Sequence, residues 1–194
     1  MVFRMFLIGP AHSGKTQLLT QSLFDLRLLA GGYVLLPLEG TDKLAMVSPE
    51  EAAQPSLPAS AFADAAVGTS QPDAGAFCPN VLSALQAVRK KELGLLDAIG
   101  GLELNDDACR SQLMTLLHED IPCAGAICPQ RSGIDPQAYQ SLMEYLRADP
   151  QTTLLPCDDS AAARDALRAW AEEVLDRAHH RKFDPLARVR YKKA

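Results

Sequence analysis

Eight residues near the start of the chain, Gly9, Pro10, Ala11, His12, Ser13, Gly14, Lys15 and Thr16, constrain the fold more than any other stretch. They match the pattern G-x-x-x-x-G-K-[ST], whose fixed positions all serve to grip a phosphate chain. Gly9 and Gly14 let the backbone curl so that successive N–H groups converge on phosphate oxygens. The variable positions 10–13 contribute mainly main chain, and the His12 ring is expected to point outward. Lys15 is placed to reach the β- and γ-phosphates, and the Thr16 hydroxyl to ligate Mg²⁺. The helix expected next aims its positive N-terminal end at the same anion.

The flanks agree with the motif. Residues 2–8 (VFRMFLI) are apolar and rich in strand formers, as a buried parallel strand requires. Leu18, Leu19, Leu23, Leu26 and Leu29 then recur at helical spacing, and Gly31-Gly32 is expected to end that helix. Further along, residues 33–38 read as a strand and 81–91 as a helix with Val81, Leu82, Leu85 and Val88 on one face. Residues 93–97 read as a buried strand, 106–118 as a helix, 123–128 as a strand of small residues and 152–155 as a last strand. Asp135-Pro136 should open a helix to about 148, with proline at its first position. Asp158 or Asp159 should cap a final helix running to about 178, on which Trp170 packs with Leu167 and Val174. Strands alternating with helices imply an α/β fold with a mostly parallel sheet covered on both faces.

A single domain over 1–178 is expected, interrupted at 39–77 by a segment rich in Pro, Ala and Ser that reads as a loop excursion. From His179 on there are six basic residues and one acidic residue, so this tail carries +5 while the rest of the chain carries −10 of the net −5. The acidic body argues against a general nucleic-acid surface. The basic tail is available to an acidic partner. No apolar run reaches the roughly 18 residues that span a bilayer, so no membrane span is expected. The five cysteines, Cys78, Cys109, Cys123, Cys128 and Cys157, contain no Cys-x-x-Cys pair and read as reduced, buried thiols of a cytoplasmic protein. A metal or redox role for Cys123 and Cys128 is the alternative.

A phosphate loop needs a second anchor for the metal. Asp97 closes the apolar run Leu93-Gly94-Leu95-Leu96, where a carboxylate emerges at the C-terminal edge of a parallel sheet, the edge at which such folds bind ligands. Arg131 follows the strand 123–128 on the same edge and is placed to stabilise charge on a γ-phosphate.

Three stretches carry a resemblance to a known family: residues 6–16, residues 95–104 (LLDAIGGLEL) and residues 124–129 followed by Arg131. Together they resemble the nucleoside-triphosphatase family first described from thermophiles, which includes an animal member called cancer-related nucleoside-triphosphatase. The likeness spans about the first 35 residues and roughly 78–178. It implies a three-layer α/β P-loop NTPase fold and Mg²⁺-dependent hydrolysis of ATP, GTP and similar nucleotides with low base selectivity. It also implies Lys15 and Asp97 as catalytic positions, and Glu103 at the family's second acidic position. One departure stands out: the family's Glu directly after the metal Asp is Ala98 here. A Glu at that place orients the attacking water, and losing such a group costs about 10²–10⁴-fold. Either Glu103 substitutes, or turnover is weak, or the chain binds nucleotide as a regulatory module. A small-molecule kinase is a further alternative, disfavoured because residues 39–77 contain no arginine for a phosphate lid. The absence of an Asn-Lys-x-Asp motif argues against strict GTP selectivity.

Overall fold

The computed structural model describes residues 3–37, 43–53, 67–68, 74–158 and 160–183. In chain order the elements are β1 (Arg4–Ile8), α1 (Lys15–Ser22), β2 (Ala30–Pro37), β3 (Lys43–Val47), β4 (Val67–Gly68), α2 (Ala74–Val88), β5 (Leu93–Ile99), α3 (Asp107–His118), β6 (Cys123–Ile127), α4 (Pro136–Ala148), β7 (Thr152–Pro156) and α5 (Ser160–Phe183). The seven strands form one sheet in the order β4-β3-β2-β5-β6-β1-β7. The run from β2 to β7 is parallel throughout, and β3 and β4 extend it with antiparallel pairings.

Alternating side chains of the parallel strands feed two separate cores. Phe6, Tyr33, Leu96 and Ile99 meet α2, α3 and α4 on one face. Met5, Leu7, Leu93 and Leu95 meet α1 and α5 on the other, where Leu167, Trp170 and Val174 are buried as their spacing predicts. The result is the expected three-layer α/β arrangement. Gly125 in the middle of β6 shows why small residues belong there: a Cβ would lie 2.2 Å from Leu96 O and 3.0 Å from the Phe6 ring. Asp135 accepts from the Gln137 and Ala138 amides at 2.9 and 3.2 Å and caps α4 as its sequence implies.

Several expectations need correcting. Gly31-Gly32 does not end the first helix. That helix stops at Ser22, a 3₁₀ turn over Phe24–Leu26 follows, and both glycines lie inside β2. They are there because α2 and β5 come close: a Cβ on Gly31 would sit 2.6 Å from the backbone of Ala87 and Val88, and one on Gly32 2.1 Å from Leu95 O. Gly32 also has φ +106°, which disfavours any side chain. The 39–77 excursion is more regular than its composition suggests. It holds β3, β4 and the start of α2, which begins at Ala74 and carries Pro79 within it, ahead of the predicted 81. Residues 39–42, 54–66 and 69–73 of that excursion, Asp159 and the tail from 184 lie outside the described residues. α5 continues to Phe183, past the boundary drawn at 178.

One buried charge went unread in the sequence. Arg4 opens β1 and is almost fully buried, with Nη1 donating to Asp149 Oδ2 at 2.9 Å and Nη2 to Glu119 O at 2.9 Å. Burial works against the Asp149 charge. The Thr152 hydroxyl, the Gln151 amide and the Arg4 guanidinium outweigh it and hold the carboxyl below its usual range. The pair's contribution is therefore present at neutral pH and lost as pH falls through that depressed value. Asp149→Ala strands the Arg4 charge in the interior, and urea denaturation at pH 7 should show a loss of about 3–5 kcal/mol.

Candidate nucleotide-binding site

The loop 9–14 joins β1 to α1 at the C-terminal edge of the sheet. Gly14 is left-handed (φ +80°) and leads into the first turn of α1, and His12, at φ +59°, is exposed as expected. A Cβ on Gly9 would lie 3.2 Å from Ser13 Oγ and 3.4 Å from Cys157 Cβ, so the base of the loop accepts only glycine without displacement. Lys15 is only 8% exposed. Its ammonium donates to Gly9 O at 3.0 Å, Pro10 O at 2.5 Å and Ser13 Oγ at 3.1 Å. Those acceptors carry no full charge, so the loop holds a cation over its own concavity with its charge uncancelled by any of them. An anion of phosphate size completes that arrangement electrostatically.

Asp97 arrives from β5 and is fully buried. It pairs in register with Ala126 of β6, and the register shifts between Asp97 and Ile99, a bulge centred on Ala98. Bulges of this kind re-aim side chains beside functional sites. Burial drives the Asp97 pKa up to about 6, against the opposing pull of the Thr16 hydroxyl, the Leu35 amide and the Lys15 charge. Leu35 N–H lies 3.4 Å from Oδ2, whereas Oδ1 has no hydrogen-bond partner among the described residues. A hydroxyl and a buried carboxylate with an unused oxygen form a hard oxygen donor set, which suits Mg²⁺. The structure thus brings Lys15, Thr16 and Asp97 together.

Glu103 sits in a 3₁₀ turn (Leu102–Asn105) just beyond β5 and is fully buried. Oε1 accepts from the Gly100 and Gly101 amides at 2.5 and 3.0 Å, while Oε2 has no partner among the described residues. Burial raises its pKa, and the bonds from the Gly101 and Gly100 amides oppose the rise. Arg131 lies exposed on the loop between β6 and α4, near enough to the half-buried Cys128 for its charge to act on that thiol. Two participants were missed. Tyr33 of β2 buries a hydroxyl with no partner among the described residues, raised well above its usual pKa by burial and then by the charges of Glu103, Cys128 and Asp97. The Leu35 amide is the other. Only the pairing of β2 with β5 puts both beside Asp97, and no motif signals it.

The cysteines are all free thiols, three buried and two half-buried. Cys123 faces the core under α2 and α3, while Cys128 sits by Ala98 O, and the two belong to no common ligand cluster among the described residues. No helix among the described residues is long and apolar enough to cross a membrane.

No protein-family model and no curated protein matches the sequence. Among solved structures, the chain is similar to the crystal structure of THEP1 from the hyperthermophile Aquifex aeolicus, with a TM-score of 0.61 over 88% of this chain and 99% of that one, at 14% identity. The chain has the P-loop NTPase fold. At that identity the likeness is one of architecture.

Because Asp97 is harder to ionise when folded than when unfolded, the stability held by its neutral form is complete below about pH 4 and lost as pH rises through about 6. Asparagine mimics the neutral form at every pH. In EDTA, Asp97→Asn should therefore be more stable than the parent at pH 8 by roughly 3 kcal/mol, with the gap closing by about pH 4. Urea denaturation across that range checks both the sign and the window.

Proposed function

We propose that the chain is a Mg²⁺-dependent nucleotide-binding protein that hydrolyses ATP, GTP and related triphosphates to diphosphate and phosphate. The observation that carries this reading is the Lys15 ammonium held over the 9–14 loop with Thr16 and Asp97 beside it. The loop amides and the helix N-terminus would bind the phosphates, and Lys15 would neutralise the γ-phosphate. Thr16 and Asp97 would hold Mg²⁺, which would supply charge neutralisation to the phosphates. Arg131, exposed on the loop after β6, would swing toward the same charge. Glu103 would anchor the 100–101 turn through Oε1 and offer Oε2 to orient water, in place of the carboxylate missing at Ala98. The resemblance to the thermophile nucleoside-triphosphatase family and the fold shared with THEP1 support this reading. Free thiols agree with a cytoplasmic location, and the basic tail would meet an acidic partner.

A second reading, nucleotide binding with little turnover, is favoured by Ala98 and by the complete burial of Glu103. Phosphate release with Mg-ATP, GTP, CTP and UTP, using Lys15→Ala as the blank, separates the two. Release above the blank is expected, and Lys15→Ala should also weaken nucleotide binding strongly. Unchanged nucleotide affinity in that variant would sink the site assignment. Glu103→Gln should lower turnover by about 10²–10⁴-fold if Oε2 orients water. A drop below about tenfold, with nucleotide affinity kept, would leave Glu103 the role of holding the turn. Measurable binding without release in the parent would favour the second reading.

A further inference from the structure

A second cluster of ligating groups lies in the core between α2 and α3. Cys78 belongs to the first half of α2, Asp106 is the N-cap of α3, and Cys109 follows three residues later. One ligand atom from each lies within 4.8 Å of the others. Tetrahedral coordination at about 2.3 Å to sulfur and 2.0–2.2 Å to oxygen sets neighbouring ligand atoms roughly 3.5–3.8 Å apart, within that limit. We infer that Cys78, Cys109 and Asp106 form a metal site that takes one zinc ion through two thiolates and a carboxylate oxygen.

Three observations support the assignment. The capping geometry orients the donors: Asp106 Oδ1 accepts the Cys109 amide at 2.8 Å, folding the carboxylate back over that side chain. The Cys109 thiol points across to α2, with Sγ 3.2 Å from Cys78 O. The surroundings are also one-sided in charge. Burial raises both thiols. The hydrogen bond with Cys109 opposes the rise at Cys78, which also feels the Asp106 and Glu103 carboxylates; Cys109 feels Cys78 and Asp106, and no basic group among the described residues offsets either. A divalent cation relieves that potential, and its binding sends the two thiol protons to solvent. Donor softness keeps this site distinct from the one beside the loop, since thiolates select zinc and the oxygens of Thr16 and Asp97 select magnesium. Occupancy would tie α2 to the start of α3, directly after the turn that carries Glu103.

Co²⁺ serves as the spectroscopic probe. Reduced, chelator-treated full-length protein should take up one equivalent of Co²⁺ with a thiolate-to-cobalt charge-transfer absorption. That absorption should vanish in Cys78→Ser and in Cys109→Ser and persist in Cys128→Ser. Asp106→Asn keeps a competent N-cap and should weaken Co²⁺ binding by about tenfold or more. Lys15→Ala should leave the absorption intact, so the result is independent of the nucleotide reading. No charge-transfer band in the reduced protein, or one that survives both serine variants, overturns the site. So does metal-free protein in which Cys78 and Cys109 have instead become a disulfide.

Discussion

A carboxylate buried within an apolar strand, two residues before its end, is the constraint around which the rest of the site is arranged. Placing Asp97 inside the fold is costly in isolation. Three groups from two segments help to offset that cost: the Thr16 hydroxyl and the Lys15 charge at the start of α1, and the Leu35 amide from β2. Their convergence requires β2, β5 and β1 to run in one direction, so that their ends share an edge. The parallel sheet therefore does more than bury leucines. It delivers a cation, a hydroxyl and an anion to one place from positions 15, 16 and 97.

The same requirement explains the small residues between them. β6 separates β1 from β5, and its residues Ala124, Gly125 and Ala126 carry little side-chain bulk. Gly125 brings the Phe6 ring and the Leu96 carbonyl into contact with the strand, while Ala126 stands beside Asp97 on the opposite face. Larger side chains there would force the neighbouring strands or their helices away. Gly31 and Gly32 act similarly at the other flank, where β2 meets α2 and β5. Backbone proximity, more than side-chain chemistry, sets the composition of these strands.

Much of this was legible in the sequence, because the phosphate-loop pattern joins local chemistry to a required context of strand, loop and helix. The loop, Asp97 on an apolar strand, the α4 cap and the burial of Trp170 with Leu167 and Val174 in one core all follow from spacing within one segment. What was not legible depends on distant segments meeting. Gly31-Gly32 reads as a helix stop until β5 and α2 are seen pressing on it. Tyr33, Leu35 and Arg4 have no signature of their own, since their importance comes from residues 60 or more positions away. The antiparallel pairing of β2, β3 and β4 was hidden because proline and alanine content speaks to average propensity, whereas β3 is held by its partner's backbone.

The Arg4 clamp has a mechanical consequence. It bolts the start of β1 to residues 119 and 149, two connections on the edge of the sheet opposite the loop. The strand's register with β6 and β7 leaves it no freedom to slide without tearing those bonds. Any accommodation of an incoming anion must then occur by rearranging residues 9–14 and the Lys15 side chain. β1 is the fixed anvil of the molecule, and the loop at its far end is the movable jaw.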